Sequence, residues 1–525
     1  MKANVKHDDV KNGFINLIFV AISVMIQILW LMLLFVRLNN YSTTASIILS
    51  ILALIVVLAI NGKHTSSSVK MPWMVLILTF PLLGMPLYLM LGRSGSTKGM
   101  RERFEDIDKK LFPLIRQDDF AIKSLELKDK GIANQSKYLI NYAYFPVYND
   151  SKIEYFSDAS EALEAQKEVI KKAKKFIFME YHAIEEASSF EEIADLLEEK
   201  VKNGVEVRLF YDDVGSSPFI NKSFIKRMQN RGINCRVFNP MTPILNVFMD
   251  NRDHRKITVV DGIYGFTGGY NLANEYFNIV NPYGHWKDTG VKITGNAVKN
   301  LTVMFLEMWN AINPKDIDDK IYEKYLPDVN KELKNMPKYR KDYGFIQPYA
   351  DSPLDMEHVG ENVYLNLISN AKNYVYFMTP YLIITEEMNR ALGLAAKRGV
   401  DVRIITPGIP DKKFIYLLTR SYYPSLVRRG VKIYEYKPGF CHAKMCVSDD
   451  EVACVGTINL DYRSLYHHFE NGVFMYGCKA VDDIKKDFLD TFKVSKDVTD
   501  NYHEDRNTLS RRIGYSLLRL FAPLL

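Results

Sequence analysis

Two stretches of the chain carry residues whose types and spacing can do chemistry. His254 to Asn271 reads HRKITVVDGIYGFTGGYN, and His442 to Asn459 reads HAKMCVSDDEVACVGTIN. Both fit one template of His, Lys, Asp, Gly and Asn at identical offsets: His254, Lys256, Asp261, Gly268 and Asn271, then His442, Lys444, Asp449, Gly456 and Asn459. The residues after each Lys are apolar and β-prone. On a strand, residues i and i+2 share a face, so each His projects beside its Lys. The glycines permit close backbone approach to a ligand, and each Asn offers an amide donor. Two copies facing each other would surround one small anion with two imidazoles, two ammoniums and two amides, an inventory that fits a phosphodiester. Lysine is a poor metal ligand and no Cys/His cluster has metal-binding spacing, so no metal and no cofactor are expected.

The elements that must position these residues repeat as well. From about residue 150, helical and strand periodicities alternate. Ala159, Ala162, Leu163, Val169, Ile170 and Ala173 recur at helical spacing, 176–179 reads as a strand, 190–203 as a helix stopped by Gly204, and 205–211 as a strand. Such alternation predicts an α/β fold with helices covering a sheet. The order returns later: "KAKKFIFMEYH" is echoed by "NAKNYVYFMTPY", "VKNGVEVRLFYD" by "AKRGVDVRIITP", and "NRGINCRVFNP" by "RRGVKIYEYKP", each series ending at a His-x-Lys. The repeat is therefore domain-sized, with halves expected at 141–335 and 336–495.

The duplicated HxKxxxxD resembles the hallmark of the phospholipase D superfamily, and the chain looks more closely like the bacterial cardiolipin synthases within it. The resemblance extends through "FIQPYADSPLDMEHVGENVYL", "GVDVRIITPGIPDKKF", "IYEYKPGFCHAK" and "GTINLDYRSLYHHFEN" and covers essentially the whole chain. It implies two tandem phospholipase D-like sandwich domains forming one pseudo-symmetric catalytic body, preceded by N-terminal transmembrane helices. It implies phosphatidyl transfer from one phosphatidylglycerol to another, giving cardiolipin and glycerol. In that chemistry a neutral imidazole attacks phosphorus to give a phosphohistidine, and the opposite imidazole serves as acid and then base. The lysines and Asn271 and Asn459 hold the non-bridging oxygens. Residue types alone do not rank the two histidines. Family practice implies His254 as nucleophile and His442 as acid/base. In related enzymes an acid downstream of each motif orients an imidazole, which points to Asp288 in "HWKDTGV" and Glu470 in "HFENG". Asp261 and Asp449 belong to the catalytic motif, with a structural role as the alternative. The competing activity is hydrolysis of phospholipid or nucleic acid by the same chemistry. A non-enzymatic scaffold is disfavoured because both motifs are complete.

The rest of the chain fits a lipid partner. Net charge is +6 over 525 residues, which favours anionic partners. No extended basic–aromatic stretch suggests single-stranded nucleic acid, and no nucleotide-binding motif is found. Residues 14–36, 44–60 and 71–91 are apolar runs, the last interrupted by Pro81, Gly84 and Pro86. They predict a multi-pass anchor over 1–91 in a bacterial cell membrane, or in part a re-entrant hairpin. Flanking lysines and arginines leave its orientation open. Five cysteines without CxxC spacing read as reduced thiols, which together with the resemblance places the catalytic part in the cytoplasm. Residues 92–140 link the membrane part to the catalytic part and are expected to be a solvated helix. Residues 496–525 form a tail, either an amphipathic helix on lipid or a helix docked on the body. Oligomeric state is not readable.

Overall fold

The computed structural model describes Leu29, Leu33 and residues 43–63, 67–91, 98–240, 251–315, 317–318, 320–333, 343–503, 509–520 and 522. Apart from Leu29 and Leu33, the apolar run at 14–36 lies outside them. The second run is helix α1 (Thr43–Asn61). The third is two helices, α2 (Ser67–Thr79) and α3 (Pro81–Leu91), parted at Pro81, which has no N–H to continue the ladder. Ala53, Ile60, Trp73, Ile77 and Tyr88 pack these helices into a small core, while Ile47, Ile51, Leu54, Ile55 and Leu58 of α1 remain exposed. Among the described residues no helix is long and apolar enough to cross a membrane, so the expected transmembrane helices are not found there. For the third run the rise of 1.5 Å per residue accounts for this: α2 spans about 20 Å and α3 about 16 Å, against about 30 Å of hydrocarbon.

The catalytic body is two sheets with one strand order. The first half supplies β1 (Lys152–Phe156), β2 (Phe176–Tyr181), β3 (Glu206–Asp212), β4 (Asn234–Phe238), β5 (Arg252–Asp253), β6 (Lys256–Val260), β7 (Tyr264–Gly268), β8 (His285–Lys287) and β9 (Gly290–Thr294). The second supplies β10 (Phe345–Asp351), β11 (Tyr374–Met378), β12 (Asp401–Pro407), β13 (Lys432–Tyr436), β14 (Gly439–Cys441), β15 (Met445–Ser448), β16 (Val452–Gly456), β17 (His468–Tyr476) and β18 (Ser495–Asp497). The first sheet runs β1-β9-β7-β6-β2-β3-β4, and the second runs β10-β17-β16-β15-β11-β12-β13-β18. In each, the three repeated strands noted in the sequence are parallel neighbours, and the motif strand pairs antiparallel beside them.

Alternation along β2 divides the core. Ile177, Met179 and Tyr181 face a cluster under the first half's outer helices. Phe176 and Phe178 face a larger cluster that runs on through the second half. Helix α4 (Val298–Ile312) is buried along most of its length and touches β2, β6 and β10. Phe305 on it stacks on Phe178 at 4.5 Å.

The described residues of 92–140 are largely helical, as expected, but one face is packed rather than solvated. They form helices at Lys98–Leu111, Asp119–Lys128 and Lys130–Tyr142. Phe104, Ile107, Leu111, Leu125 and Leu139 join the large core, and Arg103 donates to the Ala311 carbonyl at 2.9 Å. Charge density concealed an apolar stripe at i, i+3, i+7. Helix α5 spans Lys413–Val427, and the tail ends in helix α6 (Leu509–Leu520). It rests on α5 through Arg519, which donates to the Ser421 carbonyl and covers the Tyr422 ring.

Candidate active site

Each motif is one strand and its turn. Lys256 begins β6 and Lys444 precedes β15, so each His sits just outside its sheet. After β6, Asp261 and Gly262 take φ of 55° and 68°, and after β15 Asp449 and Asp450 take 55° and 60°. Positive φ at two successive residues makes a tight turn within the three-residue loop that joins each motif strand to the next. The motif's spacing is thus the length of one strand. Gly268 and Gly456 allow the next strand to close: a Cβ there would stand 2.4 Å from the Thr289 carbonyl oxygen and 2.3 Å from that of Asn471.

Two short parallel pairings join the halves beside the histidines. β5 pairs with β17 and β14 with β8. The His254 N–H donates to the Phe469 carbonyl at 2.9 Å, and the His442 N–H to that of Lys287 at 2.7 Å. Glu470 is the next residue on β17, and Asp288 directly follows the end of β8. His254 Nδ1 lies 2.9 and 3.0 Å from the two Glu470 carboxylate oxygens. His442 Nδ1 lies 2.6 Å from Asp288 Oδ2. Each imidazole is therefore paired with a carboxylate from the other half. With Nδ1 protonated and donating to the acid, Nε2 keeps its lone pair for chemistry.

Both carboxylates are held in turn. Glu470 accepts from the Ser464 hydroxyl at 2.5 Å and from the Thr457 hydroxyl. Asp288 accepts from the Thr289 N–H at 2.9 Å. The lysines lie against their own histidines. Lys256 donates to the His254 carbonyl at 2.5 Å, and the Lys444 ammonium stands 2.8 and 2.9 Å from the two His442 ring nitrogens.

Burial and mutual repulsion set the charges. Burial first, then Lys256, Lys444 and His442, hold the His254 imidazolium well below the usual histidine range. Burial and Lys444 bring His442 to about 4, against the upward pull of Asp288. Burial lowers Lys256 to about 7 and Lys444 to about 8. Burial pushes the Asp288 carboxyl up, but His442 and Lys444 outweigh it and bring it below its ordinary value. Before an anion arrives, the site is two neutral imidazoles and two reluctant cations, a cavity poised for negative charge.

The two asparagines lie at the same site but are engaged differently. Asn271 donates to the Tyr276 hydroxyl at 2.7 Å and accepts from the Ala183 N–H at 3.2 Å. The Asn459 carbonyl oxygen is buried without a partner. The motif aspartates stand apart. Asp261 accepts from the N–H groups of Lys174, Lys175 and Phe176 at 2.7–2.9 Å. Asp449 accepts from those of Lys372, Asn373 and Tyr374 over the same distances. Each lies at the end of its strand remote from the histidine, about 16 Å from the motif lysine by strand rise.

Sequence reasoning missed the walls. The His254 ring has His182 and His468 beside it, with centroids at 4.9 and 5.4 Å. The His442 ring has Trp286 and Tyr276, both at 5.3 Å, and Phe440 at 5.7 Å. The signal was present, because His468 and Trp286 each lie two residues before an orienting acid on a strand and so share its face. His182 closes the strand whose echo ends in Tyr381. Among the described residues, His254, His468 and Glu470 form the one group of metal-ligand types. Glu470 is already saturated by three donors and the charges of Lys256 and Lys444 oppose a cation, so the arrangement fits an anion better than a metal.

Swapped carboxylate–imidazole pairs on two α/β sheets of common order define a phospholipase D-like domain pair. The family described as cardiolipin synthase, phospholipase D-like domain, matches residues 167–309 and 364–491, and a phospholipase D-nuclease N-terminal family matches 48–93. A cardiolipin synthase of Clostridium perfringens is 35% identical over 86% of this chain and 93% of its own. Cardiolipin synthase 1 of Staphylococcus aureus is 33% identical over 93% of this chain and 99% of its own. The crystal structure of the phosphatidylserine synthase of Haemophilus influenzae shares the fold, with a TM-score of 0.55 at 15% identity over 75% of this chain and 99% of that one. The chain belongs to the phospholipase D-like cardiolipin synthase family.

Proposed function

We propose that the site joins two phosphatidylglycerols into cardiolipin and releases glycerol, through a covalent phosphohistidine. His254 Nε2 attacks phosphorus, and the bond from phosphorus to the glycerol oxygen breaks. His442 gives its Nε2 proton to that oxygen. A second phosphatidylglycerol then presents a hydroxyl, His442 takes its proton, and the oxygen displaces His254 from phosphorus. An approaching phosphodiester supplies the negative charge that raises both imidazoles and restores both ammoniums, so His442 is protonated when the leaving group needs it. Lys256, Lys444, Asn271 and Asn459 stabilise the charged oxygens of the transition state. Asp288 and Glu470 fix the tautomers. The observation that carries this reading is the pair of buried imidazoles, each held through Nδ1 by an acid of the opposite half. The relatives named cardiolipin synthase supply the substrate.

The apolar N-terminal segments seat the protein in the cell membrane, with the body in the cytoplasm. The outward apolar face of α1 and the five unpaired buried thiols support that placement.

The test is lipid chromatography after incubation with phosphatidylglycerol alone, and in reverse with labelled cardiolipin and excess glycerol, both without nucleotide. The forward reaction gives cardiolipin plus glycerol, and the reverse gives phosphatidylglycerol. Phosphatidic acid as sole product makes water the acceptor and the activity hydrolytic. A requirement for CDP-diacylglycerol excludes the exchange altogether.

A further inference from the structure

The mouth beside His442 carries apolar side chains that the chemistry does not use. The N–H groups of Gly408 and Ile409 donate to the Gly439 carbonyl at 3.3 and 3.2 Å. This holds the segment leading into α5 over β14, beside Phe440 and His442. The 279–284 loop reaches the same place. Tyr283 lies 6.4 Å from Phe440, ring to ring, and a Cβ on Gly284 would stand 3.2 Å from Ile409 Cδ1. On these two segments Ile279, Val280, Ile409, Phe414 and Leu417 are between 41% and 51% exposed. Lys412, Lys413 and Lys437 are exposed among them. The neighbouring acids Asp411 and Glu275 are half-buried, and Asp411 accepts from the Tyr381 hydroxyl at 2.6 Å.

Exposed aliphatic and aromatic side chains interleaved with lysines suit the boundary between acyl chains and anionic headgroups. The apolar groups enter the hydrocarbon edge while the ammoniums stay with the phosphates. The patch is also continuous with the C-terminal helix. Phe414 and Leu417 lie on the first turns of α5. Two turns on, Arg519 of α6 binds at Ser421, with Ile513 and Leu517 of α6 exposed beside it.

We propose that Ile279, Val280, Ile409, Phe414 and Leu417, with Lys412 and Lys413, form a rim that dips into an anionic bilayer and seats the His442 mouth on it. This rests on the phosphatidylglycerol reading. A lipid phosphodiester then reaches the histidines by sliding along the rim without crossing water. The rim is distinct from the N-terminal helices, which tether the chain but do not aim its mouth.

The experiment uses the full-length protein reconstituted in phosphatidylglycerol–phosphatidylethanolamine vesicles. All native cysteines are buried, so Phe414→Cys is labelled selectively with an environment-sensitive dye. Nitroxide-bearing lipid chains are expected to quench it, and quenching is expected to fall in vesicles of neutral lipid. In parallel, Phe414→Ser/Leu417→Ser is assayed on vesicles and on detergent-dispersed phosphatidylglycerol. The vesicle rate is expected to fall about tenfold more than the micelle rate, as two interfacial side chains lose their burial. An unquenched dye overturns the rim, as do equal losses in the two assays. A dye that shifts with protein concentration but is not quenched by lipid assigns the patch to contact between copies instead. If the wild type turns over no phosphatidylglycerol, the substrate reading has failed, and quenching still decides the rim.

Discussion

The two halves place the same backbone around the same pair of groups, yet wall them differently. His254 sits among imidazoles, His182 and His468, with the fully buried Arg255 behind it joined to Glu180 at 3.0 Å. His442 sits in a box of Trp286, Tyr276 and Phe440, and the residue matching Arg255 is Ala443. The polar wall stands on the side we assign to the covalent bond, and the aromatic wall stands under the apolar mouth. A duplicated strand pair can thus keep its reacting atoms symmetric while its surroundings divide the labour.

The largest effect that sharpens this division comes from the histidines themselves. His254→Ala and His442→Ala are each expected to lower kcat by more than about 10³-fold with the fold intact, since each removes a nucleophile or an acid/base. The two differ in what can be trapped. A brief reaction with labelled phosphatidylglycerol, quenched and digested, is expected to leave label on residue 254 in the His442→Ala variant and none in His254→Ala. Label on residue 442 in the reciprocal variant would reverse the roles, and retention of a tenth of the activity by either would end the two-histidine scheme.

The acids come next. Asp288→Asn and Glu470→Gln keep shape but lose the charge that fixes each imidazole, and kcat is expected to fall about 10²–10⁴-fold. Because each acid serves the opposite half, Glu470→Gln is expected to slow adduct formation on His254, while Asp288→Asn acts through His442. Rapid-quench measurement of the adduct separates them. An effect of Asp288→Asn confined to attack by His254 would contradict the crossed pairing.

A smaller, graded effect is expected with pH. Burial brings Lys256 to about 7 and Lys444 to about 8 in the free protein, so both ammoniums are lost as pH climbs through that range. kcat/KM for the anionic substrate is expected to fall from about pH 7 upward, by roughly tenfold per unit for each lost charge. Stability runs the other way at these residues. Between their folded values and the ordinary lysine value, the unfolded chain holds more protons, so the fold gains stability as pH rises there. Lys256→Arg removes the lower inflection of the kcat/KM profile and Lys444→Arg the upper. Profiles unchanged by both would assign the fall elsewhere.

Much of this was legible because it is periodic. The HxK offsets and the domain-sized echo are written in residue types and spacings, and the family resemblance pointed to the acids at 288 and 470. The crossing of the acids was not, because it depends on β5 pairing with β17 and β8 with β14, and the acids lie 216 and 154 positions from the histidines they hold. The packed face of the helices in 98–142 was hidden by their charge. The third apolar run read as interrupted at Pro81, Gly84 and Pro86, and Pro81 does divide it, into helices too short to span. His468 was readable and overlooked, since it stands at i−2 from Glu470 as Trp286 does from Asp288.

The smallest effect on turnover is expected where the halves agree most closely. Asp261 and Asp449 occupy the same turn at the same φ of 55°, and each accepts from three consecutive backbone N–H groups at the start of a neighbouring strand, β2 or β11. Those groups have no sheet partner for that bond, so the carboxylate serves as the clamp that sets the register between the motif strand and its neighbour. Phe176 and Tyr374 are buried, so truncation to Ala leaves their N–H groups unpaired at a cost of about 1–3 kcal/mol each, while water reaches the other donors, which lie on exposed residues. Asp also tolerates the left-handed turn better than Ala. Asp261→Ala and Asp449→Ala are therefore expected to lower Tm by several degrees, while kcat at a temperature well below melting stays within about threefold, too small a change for a lost acid/base group. Asn at either position can still accept one of the bonds and fit the turn, and is expected to recover part of the lost stability. A large fall in kcat with Tm unchanged would return these aspartates to the chemistry, and an effect in one half alone would mean that the shared turn hides a difference of function.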